Sequence, residues 1–241
     1  MLKKERILKI VEIVNDKGFV TINDLMSQLN SSRSSIVRDV IELEENGHLL
    51  RERGGASKLG INTFLDAYNE GSVSDKELLN YSKKNEIAKQ ASQIVKKGDC
   101  IFIDSGSTTA LMIPYLVNLD ITIVTTSIHF IKRLPANYKF NVYLIGGEYN
   151  YKYDVTSGNL IFNSLNKFRF KYSFLSATGL SIENNEVYIT DSNIGNIKNI
   201  VRQKSDYSFL LVDDTKYHIK STFVWANLES FDKIFTNKEL Y

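Results

Sequence analysis

The sequence predicts a two-part α/β protein: a small helical head with a short two-stranded wing, then a larger domain in which strands alternate with helices. Three observations carry this. Residues 1–57 are dense in helical apolar periodicity. Residues 58–79, "KLGINTFLDAYNEGSVSDKELL", scatter glycine, serine and charge with weak periodicity and read as a linker. From residue 80 to 241 short apolar runs alternate with helix-length stretches, the pattern of a mostly parallel sheet with helices on both faces.

In the head, apolar residues at 7, 8, 10, 11, 13 and 14 form a helical stripe that Lys17-Gly18 closes. "TINDLMSQLN" places Asp24 three residues after Thr21, a capping-box pattern ahead of Leu25, Met26 and Leu29. "SSRSSIVRDVIELEENG" gives a third helix, with Ser32 as N-cap and Gly47 as its stop. Ile36, Val40 and Leu43 would face the core, which leaves Arg33, Ser34, Ser35 and Arg38 exposed near its start. "HLLRERGGASK" reads as two short strands around Arg51-Glu52-Arg53-Gly54-Gly55, a basic wing. Two short helices, a tight turn and a helix with Ser/Arg-rich first turns make a helix-turn-helix, whose last helix fits the major groove of double-stranded DNA.

Residues 1–58 carry ten Lys/Arg against nine Asp/Glu, so net charge alone does not call for nucleic acid. An ordinary three-helix bundle with solvated charges is the alternative. Placement favours DNA: Glu42, Glu44 and Glu45 cluster at the far end of the third helix, and the basic residues lie at its start and on the wing.

In the second domain "KKNEIAKQASQIVKKG" reads as a helix ending at Gly98. There follow strand 100–103, helix 108–117 (with Pro114 expected to kink or shorten it), strand 121–125, helix 127–134, strand 140–145, helix 158–168 and strand 172–177. Helix 191–204, strand 207–213 and strands near 222–225 and 232–235 complete the series.

The stretch "GDCIFIDSGSTTALMIPYL" runs an apolar strand into Asp104-Ser105-Gly106-Ser107-Thr108-Thr109 and then into a helix. Small residues let a ligand approach the backbone, and unpaired N–H groups at a helix start attract anions, so the turn suits a phosphate or carboxylate. Strand ends of a parallel sheet face the ligand crevice. Thr125 and Thr126, Gly146-Gly147-Glu148, and Asp213 to Lys216 should therefore converge with the turn. Lys216 and Lys84 are the point charges best suited to the anion.

Other classes find little support. The chain of 241 residues has a formal net charge of +2 and is 43% hydrophobic. Its single cysteine, Cys100, allows no internal disulfide and no cysteine metal cluster. His48, His129 and His218 have no ligand spacing, so no metal or cofactor is expected. No apolar run approaches the roughly 20 residues that span a bilayer. "MLKKERILKIVEIVNDKG" disperses charge through its apolar residues and does not read as a signal peptide, which leads to the expectation of a soluble, cytoplasmic protein.

The stretch from Arg6 to Ala56 resembles the N-terminal domain of DeoR/GlpR-type bacterial transcription regulators, with "SSRSSIVRDVIELEENGHLLRERGGA" similar to their recognition helix and Gly-Gly-Ala wing. "KKNEIAKQASQIVKKGDCIFIDSGSTT", "VTTSIHF", "YLIGGEY", "FLSATGL" and "LLVDDTK" resemble the later blocks of that family in the same order. The resemblance implies a C-terminal sensor domain that is similar in fold to ribose-5-phosphate isomerase and answers to a phosphorylated sugar or polyol. It implies that Gly106, Ser107, Thr108 and Thr109 hold the phosphate while Asp104 accepts hydrogen bonds from sugar hydroxyls; two reading heads on one duplex need matching symmetry, so a homo-oligomer, a dimer or tetramer, is expected. Four positions depart from the family pattern: Ser35 for threonine, Val37 for a second arginine, and Ile194-Gly195 for a glutamate-alanine pair. A sugar-phosphate isomerase using Asp104, Glu148 and Asp213 with an accessory head is the competing function.

Overall fold

The structure, a computed structural model, describes residues 2–45, 48–52, 54–58 and 73–240. It divides into two compact units, one holding residues up to 58 with 74–81, the other holding Val73 and 82–240.

The first unit contains α1 (Lys3–Lys17), β1 (Phe19–Thr21), α2 (Ile22–Leu29), α3 (Arg33–Glu45), β2 (Leu50–Glu52) and β3 (Gly55–Ser57); α4 (Val73–Leu78) follows in the chain. Thr21 caps α2: its Oγ1 accepts from the Asp24 amide at 3.1 Å, the first half of the expected capping box, while the Asp24 carboxylate accepts from the Thr21 hydroxyl at 2.7 Å and not from its backbone N–H. Asn30, in the left-handed region at φ 44°, ends α2. Ser32 caps α3 by accepting from the Ser35 amide at 3.3 Å. Ile36, Val40 and Leu43 are buried with Ile10, Val11, Val14 and Leu25. Gly47 and Arg53 lie outside the described residues.

The wing differs from the expectation. β1 joins it, so β3 is the middle strand of three in the order β1-β3-β2. Gly55 lies in β3 and not in the turn. Of the segment read as a linker, 59–72 lie outside the described residues, and Val73–Leu78 is helical.

The second unit runs α5 (Tyr81–Ser92), β4 (Cys100–Ile103), α6 (Ser107–Ala110), α7 (Ile113–Leu116), β5 (Thr122–Thr125), α8 (Ile128–Lys132), β6 (Asn141–Leu144), β7 (Glu148–Asn150), β8 (Val155–Ser157) and α9 (Leu160–Leu165). It continues with β9 (Phe170–Leu175), β10 (Gly179–Ser181), β11 (Glu186–Ile189), α10 (Ser192–Gln203), β12 (Ser205–Leu211), β13 (Phe223–Asn227) and β14 (Lys233–Phe235). The helix expected over 108–117 is two short ones, with Pro114 in the first turn of α7, where its missing N–H costs nothing. The helix expected over 158–168 is α9 alone, and the helix before Gly98 stops at Ser92.

Six strands form one parallel sheet in the order β14-β12-β9-β4-β5-β6. The chain lays down β4, β5 and β6 in one direction, then returns to place β9, β12 and β14 on the other side of β4. Successive connections therefore leave β4 and β9 in opposite directions, which opens a crevice beyond the carboxyl ends of these two neighbours. β13 is not in this sheet; it pairs with β11 in a separate antiparallel sheet, β10-β11-β13. The buried face carries Phe102 edge-on to Phe170 at 5.6 Å between ring centres.

Candidate functional site

Two sites emerge, one in each unit. In the first, Ser34 and Arg38 stand one helical turn apart on α3, and both are exposed. Arg38 forms no ion pair among the described residues. Arg33 is exposed and donates to Asn23 Oδ1 at 3.1 Å, joining the start of α3 to α2. The Ser32 hydroxyl lies 3.1 Å from that of Ser34 and 3.0 Å from that of Ser35, so the three serines hold one another while capping the helix. The result is an exposed, mostly neutral helix start with two arginines on it, which is the surface a groove-reading helix offers.

The remaining head candidates divide. Arg51 is exposed on β2, but its charge is met by Glu44 at 3.6 Å, and its amide donates to Glu44 Oε1 at 3.1 Å. The acidic end of α3 and the basic wing are thus joined at this point. The Thr21 hydroxyl is committed to its cap. Gly54 is exposed at φ 86°, whereas Gly55 is buried, and a Cβ there would stand 2.4 Å from Val20 O. Gly55 lets two strands approach and offers no side chain to a ligand. Val37 packs partly against the head's core.

In the second unit, Asp104 follows β4 and Ser176 follows β9, so both stand at the mouth of the crevice. Between Asp104 and Ala110 the chain makes a compact turn from the end of β4 into α6. The N–H groups of Ser105, Gly106, Ser107, Thr108 and Thr109 donate to nothing among the described residues. Thr109 is fully buried, and its hydroxyl is turned back onto Asp104 O and Gly106 O, each at 2.8 Å. Thr108 is buried, yet its hydroxyl has no partner among the described residues. The two threonines therefore have different work: one braces the turn and one is available.

Asp104 is 2% exposed and forms an ion pair with Lys198 of α10. Its Oδ2 also accepts from the Ser176 amide at 2.9 Å and from the Ser176 hydroxyl. Lys198 and Ser176 are the site residues that sequence reading does not single out. The signal for Lys198 was present: it shares the apolar stripe of Ile194, Ile197 and Val201, a place where a lysine needs a partner.

The other candidates lie farther along the same sheet edge. The Thr125 hydroxyl donates to Ile103 O at 2.6 Å and accepts from the Ser127 amide at 3.0 Å, so it ties β5 to β4 and starts α8. Thr126 accepts through its carbonyl from the Thr156 amide at 2.8 Å. Gly146, Gly147 and Glu148 follow β6, two strand spacings or roughly 10 Å from β4. Glu148 is exposed and packs its carboxyl against Gly158. Asp213 follows β12, two spacings to the other side; it is buried and caps the turn Asp214–Lys216. Lys216 is half-exposed and forms no ion pair among the described residues. Lys84 is buried on α5, next to Lys83, which donates to Asp214 at 2.8 Å. Burial alone would raise the Asp214 carboxyl, but hydrogen bonds from Lys83 and Asn237 outweigh it and hold the group below its ordinary value.

The three carboxylates thus belong to different elements: Asp104 follows β4, Glu148 opens β7 and Asp213 follows β12. Among the described residues no three His, Cys, Asp or Glu side chains could hold a metal ion. No described helix is long and apolar enough to cross a membrane.

Residues 6–59 match the model of the DeoR-like helix-turn-helix domain, and residues 79–238 match that of the DeoR C-terminal sensor domain. The chain is 30% identical over 240 residues to the uncharacterized HTH-type transcriptional regulator FruR of Bacillus subtilis, covering 99% of this chain and 93% of that protein. It is 31% identical to the lactose phosphotransferase system repressor of Staphylococcus aureus over 90% of this chain and 84% of that one. The repressor of the same name from Lactococcus lactis is 30% identical over all of this chain and 93% of its own. Ribose 5-phosphate isomerase A of Methanocaldococcus jannaschii superposes with a TM-score of 0.42 at 22% identity, covering 57% of this chain and 55% of that one.

Proposed function

Because this chain belongs to the DeoR family of helix-turn-helix transcriptional regulators, we propose that it represses a carbohydrate-utilisation operon and is controlled by a phosphorylated sugar or polyol. One observation carries the effector half: five adjacent backbone N–H groups, Ser105 to Thr109, without partners among the described residues, beside a buried carboxylate at the mouth of the sheet crevice. The N–H groups suit a phosphate, and Asp104 suits the hydroxyls attached to it. Half-exposed Lys216 and buried Lys84 would add positive charge to this end of the domain. The DNA half rests on the exposed start of α3, where Arg33, Ser34 and Arg38 would meet the major groove.

In this reading residues 1–57 are the DNA-binding domain, 58–79 the connection, and 80–241 the effector domain, and the protein acts in the cytoplasm without a cofactor. A homo-oligomer presents two reading heads to symmetric half-sites. An effector that favours one arrangement of the heads changes operator affinity by the same coupling factor that the operator imposes on it. In this reading the chain is a binding protein and not an isomerase: the Asp104 carboxylate is tied to Lys198 and Ser176 and is not a free base.

The test is a mobility-shift titration on the DNA upstream of the protein's own gene and on carbohydrate-operon promoters, with and without a panel of sugar phosphates. Retarded complexes that a phosphorylated sugar dissolves, and its unphosphorylated parent does not, are the expected result. No complex with any promoter overturns the DNA half. Complexes indifferent to every phosphorylated compound overturn the effector half.

A further inference from the structure

Lys198 lies on the face of α10 that Ile194, Ile197 and Val201 bury, and 3% of it is exposed. A lysine in that place carries a desolvation cost that its partners must offset. Its ammonium group pairs with Asp104 Oδ2 and donates to Ser176 O at 2.8 Å and to Ser176 Oγ at 3.1 Å. Three acceptors take up all three N–H donors of an ammonium group. Lys198 therefore has no donor left for a ligand phosphate, and its role has to be sought in what it does to Asp104.

The two oxygens of Asp104 are treated unequally. Oδ2 receives Lys198, the Ser176 amide and the Ser176 hydroxyl. Oδ1 receives nothing from the described residues. Asp104 and Ser176 end neighbouring parallel strands, β4 and β9, so the lysine clamps the two lips of the crevice at one point. The carboxylate cannot rotate to present Oδ2 without breaking three hydrogen bonds.

On the effector site proposed above, we propose that Lys198 is its positioning residue: it saturates one oxygen of Asp104 and leaves the other to accept a hydroxyl of the effector, whose phosphate lies on the Ser105–Thr109 turn. The site would then select phosphate esters that carry a free hydroxyl within reach of the phosphate, over inorganic phosphate itself. Lys198 sets that preference without touching the ligand. The same ammonium group lies 5.6 Å from the ring centre of Trp225, the one tryptophan in the chain, so its loss also has a spectroscopic signature.

The experiment uses the full chain and two probes: inorganic phosphate, and the best-binding member of a panel of pentose, hexose and polyol phosphates. Affinities are measured by calorimetry for wild type, Lys198→Met and Lys198→Arg, with folding checked by circular dichroism and by Trp225 emission. The expected result is that Lys198→Met cuts the preference for the sugar phosphate over inorganic phosphate at least tenfold, with inorganic phosphate affinity within twofold of wild type. Lys198→Arg, which keeps the charge, should regain part of the preference. Should Lys198→Met fail to fold, Ser176→Ala removes one donor from Oδ2 and one acceptor from Lys198 while leaving the ion pair, and must lower the same preference.

Equal losses for both probes would make Lys198 a phosphate contact and overturn the proposal. So would an unchanged preference in a folded variant. Wild-type protein that binds inorganic phosphate and no ester better would overturn the effector reading itself, and this inference with it.

Discussion

A Cβ placed on Gly106 would stand 2.4 Å from Ser176 Oγ and 2.6 Å from Ser176 Cβ. Gly106 has φ −70° and ψ 150°, a conformation open to any residue, so close approach and not backbone freedom explains the glycine. Gly106→Ala is expected to cost about 1–3 kcal/mol of stability, the usual range for overpacking. Denaturant unfolding checks it. Ser176→Ala leaves the Cβ clash in place and should not rescue, whereas Ser176→Gly should recover most of the loss in a double-mutant cycle. Strictly additive costs would show that the two residues do not share the clash.

Thr108 and Thr109 are adjacent and chemically alike, yet the structure separates them. Thr109→Ala leaves Asp104 O and Gly106 O without their hydroxyl donor and should cost about 1 kcal/mol. Thr108→Ala removes a hydroxyl with no partner among the described residues and should leave stability nearly unchanged. It should weaken the response to the effector while sparing DNA binding. Unaltered effector affinity in Thr108→Ala would make the turn purely structural.

Arg38 is exposed and unpaired among the described residues, so its removal should leave the head folded. Arg38→Ala should weaken operator binding and reduce the slope of log affinity against log salt by about 1 if it meets a phosphate. A loss confined to one base position, with the slope intact, would mean base reading instead. Unchanged affinity would remove Arg38 from the interface.

Asp39, buried in α3, is held by Arg6 of α1 through two hydrogen bonds, one of them at 3.3 Å from Nη2 to Oδ1. The hydrogen bond to Asp39 also raises the Arg6 guanidinium above its ordinary value. Arg6→Met would strand a buried carboxylate, so it should lower the melting temperature more than Asp39→Asn, which leaves a neutral acceptor. Combining Arg6→Met with Asp39→Leu should recover part of the loss. A double variant as unstable as the sum of its parts would mean that the pair contributes by packing alone.

The contrast between Thr21 and Lys198 shows what the sequence made legible. Thr21 caps α2 through a bond to a residue three positions away, and such local chemistry is written in the order of residues. The Asp104 strand end, the short parallel strands and the break at Pro114 were legible for the same reason. Lys198 and Asp104 are 94 residues apart in the chain, and nothing local couples them. Gly55 reads as a wing turn because Gly-Gly marks turns, but the approach of β1, which the sequence does not announce, makes it a packing glycine. Strands β7, β8 and β10 escaped notice because three residues are too few to display alternation. The departure at Ile194-Gly195 also resolves physically. A Cβ on Gly195 would lie 3.1 Å from Ile189 and 3.2 Å from Trp225, so this turn of α10 lies close against β11 and β13. The ion pair that α10 makes with Asp104 comes one turn later, from Lys198.

Asp154 offers the clearest pH dependence. It ends the turn between β7 and β8 at φ 48°, and its carboxylate accepts from Lys132 at 2.9 Å on both oxygens and from the Tyr149 hydroxyl at 2.7 Å. Burial by itself would raise this carboxyl, but the bonds from Lys132 and Tyr149, with the charges of Lys132 and His129, bring it below its ordinary value. A carboxyl lowered on folding contributes stability that is complete above the unfolded value, about 3.9 for aspartate, and is lost as pH falls through the folded one. Asp154→Asn keeps the left-handed backbone, which asparagine tolerates, and removes the charge together with one accepting oxygen. The variant should be less stable than wild type at pH 6–7, by an amount that shrinks once the pH drops below about 4. Lys132 is largely exposed, so the difference should also shrink in high salt. Unfolding curves from about pH 7 to pH 3 read this directly, and a gap that stays constant over that range would assign the loss to hydrogen-bond geometry and not to the ionised carboxylate.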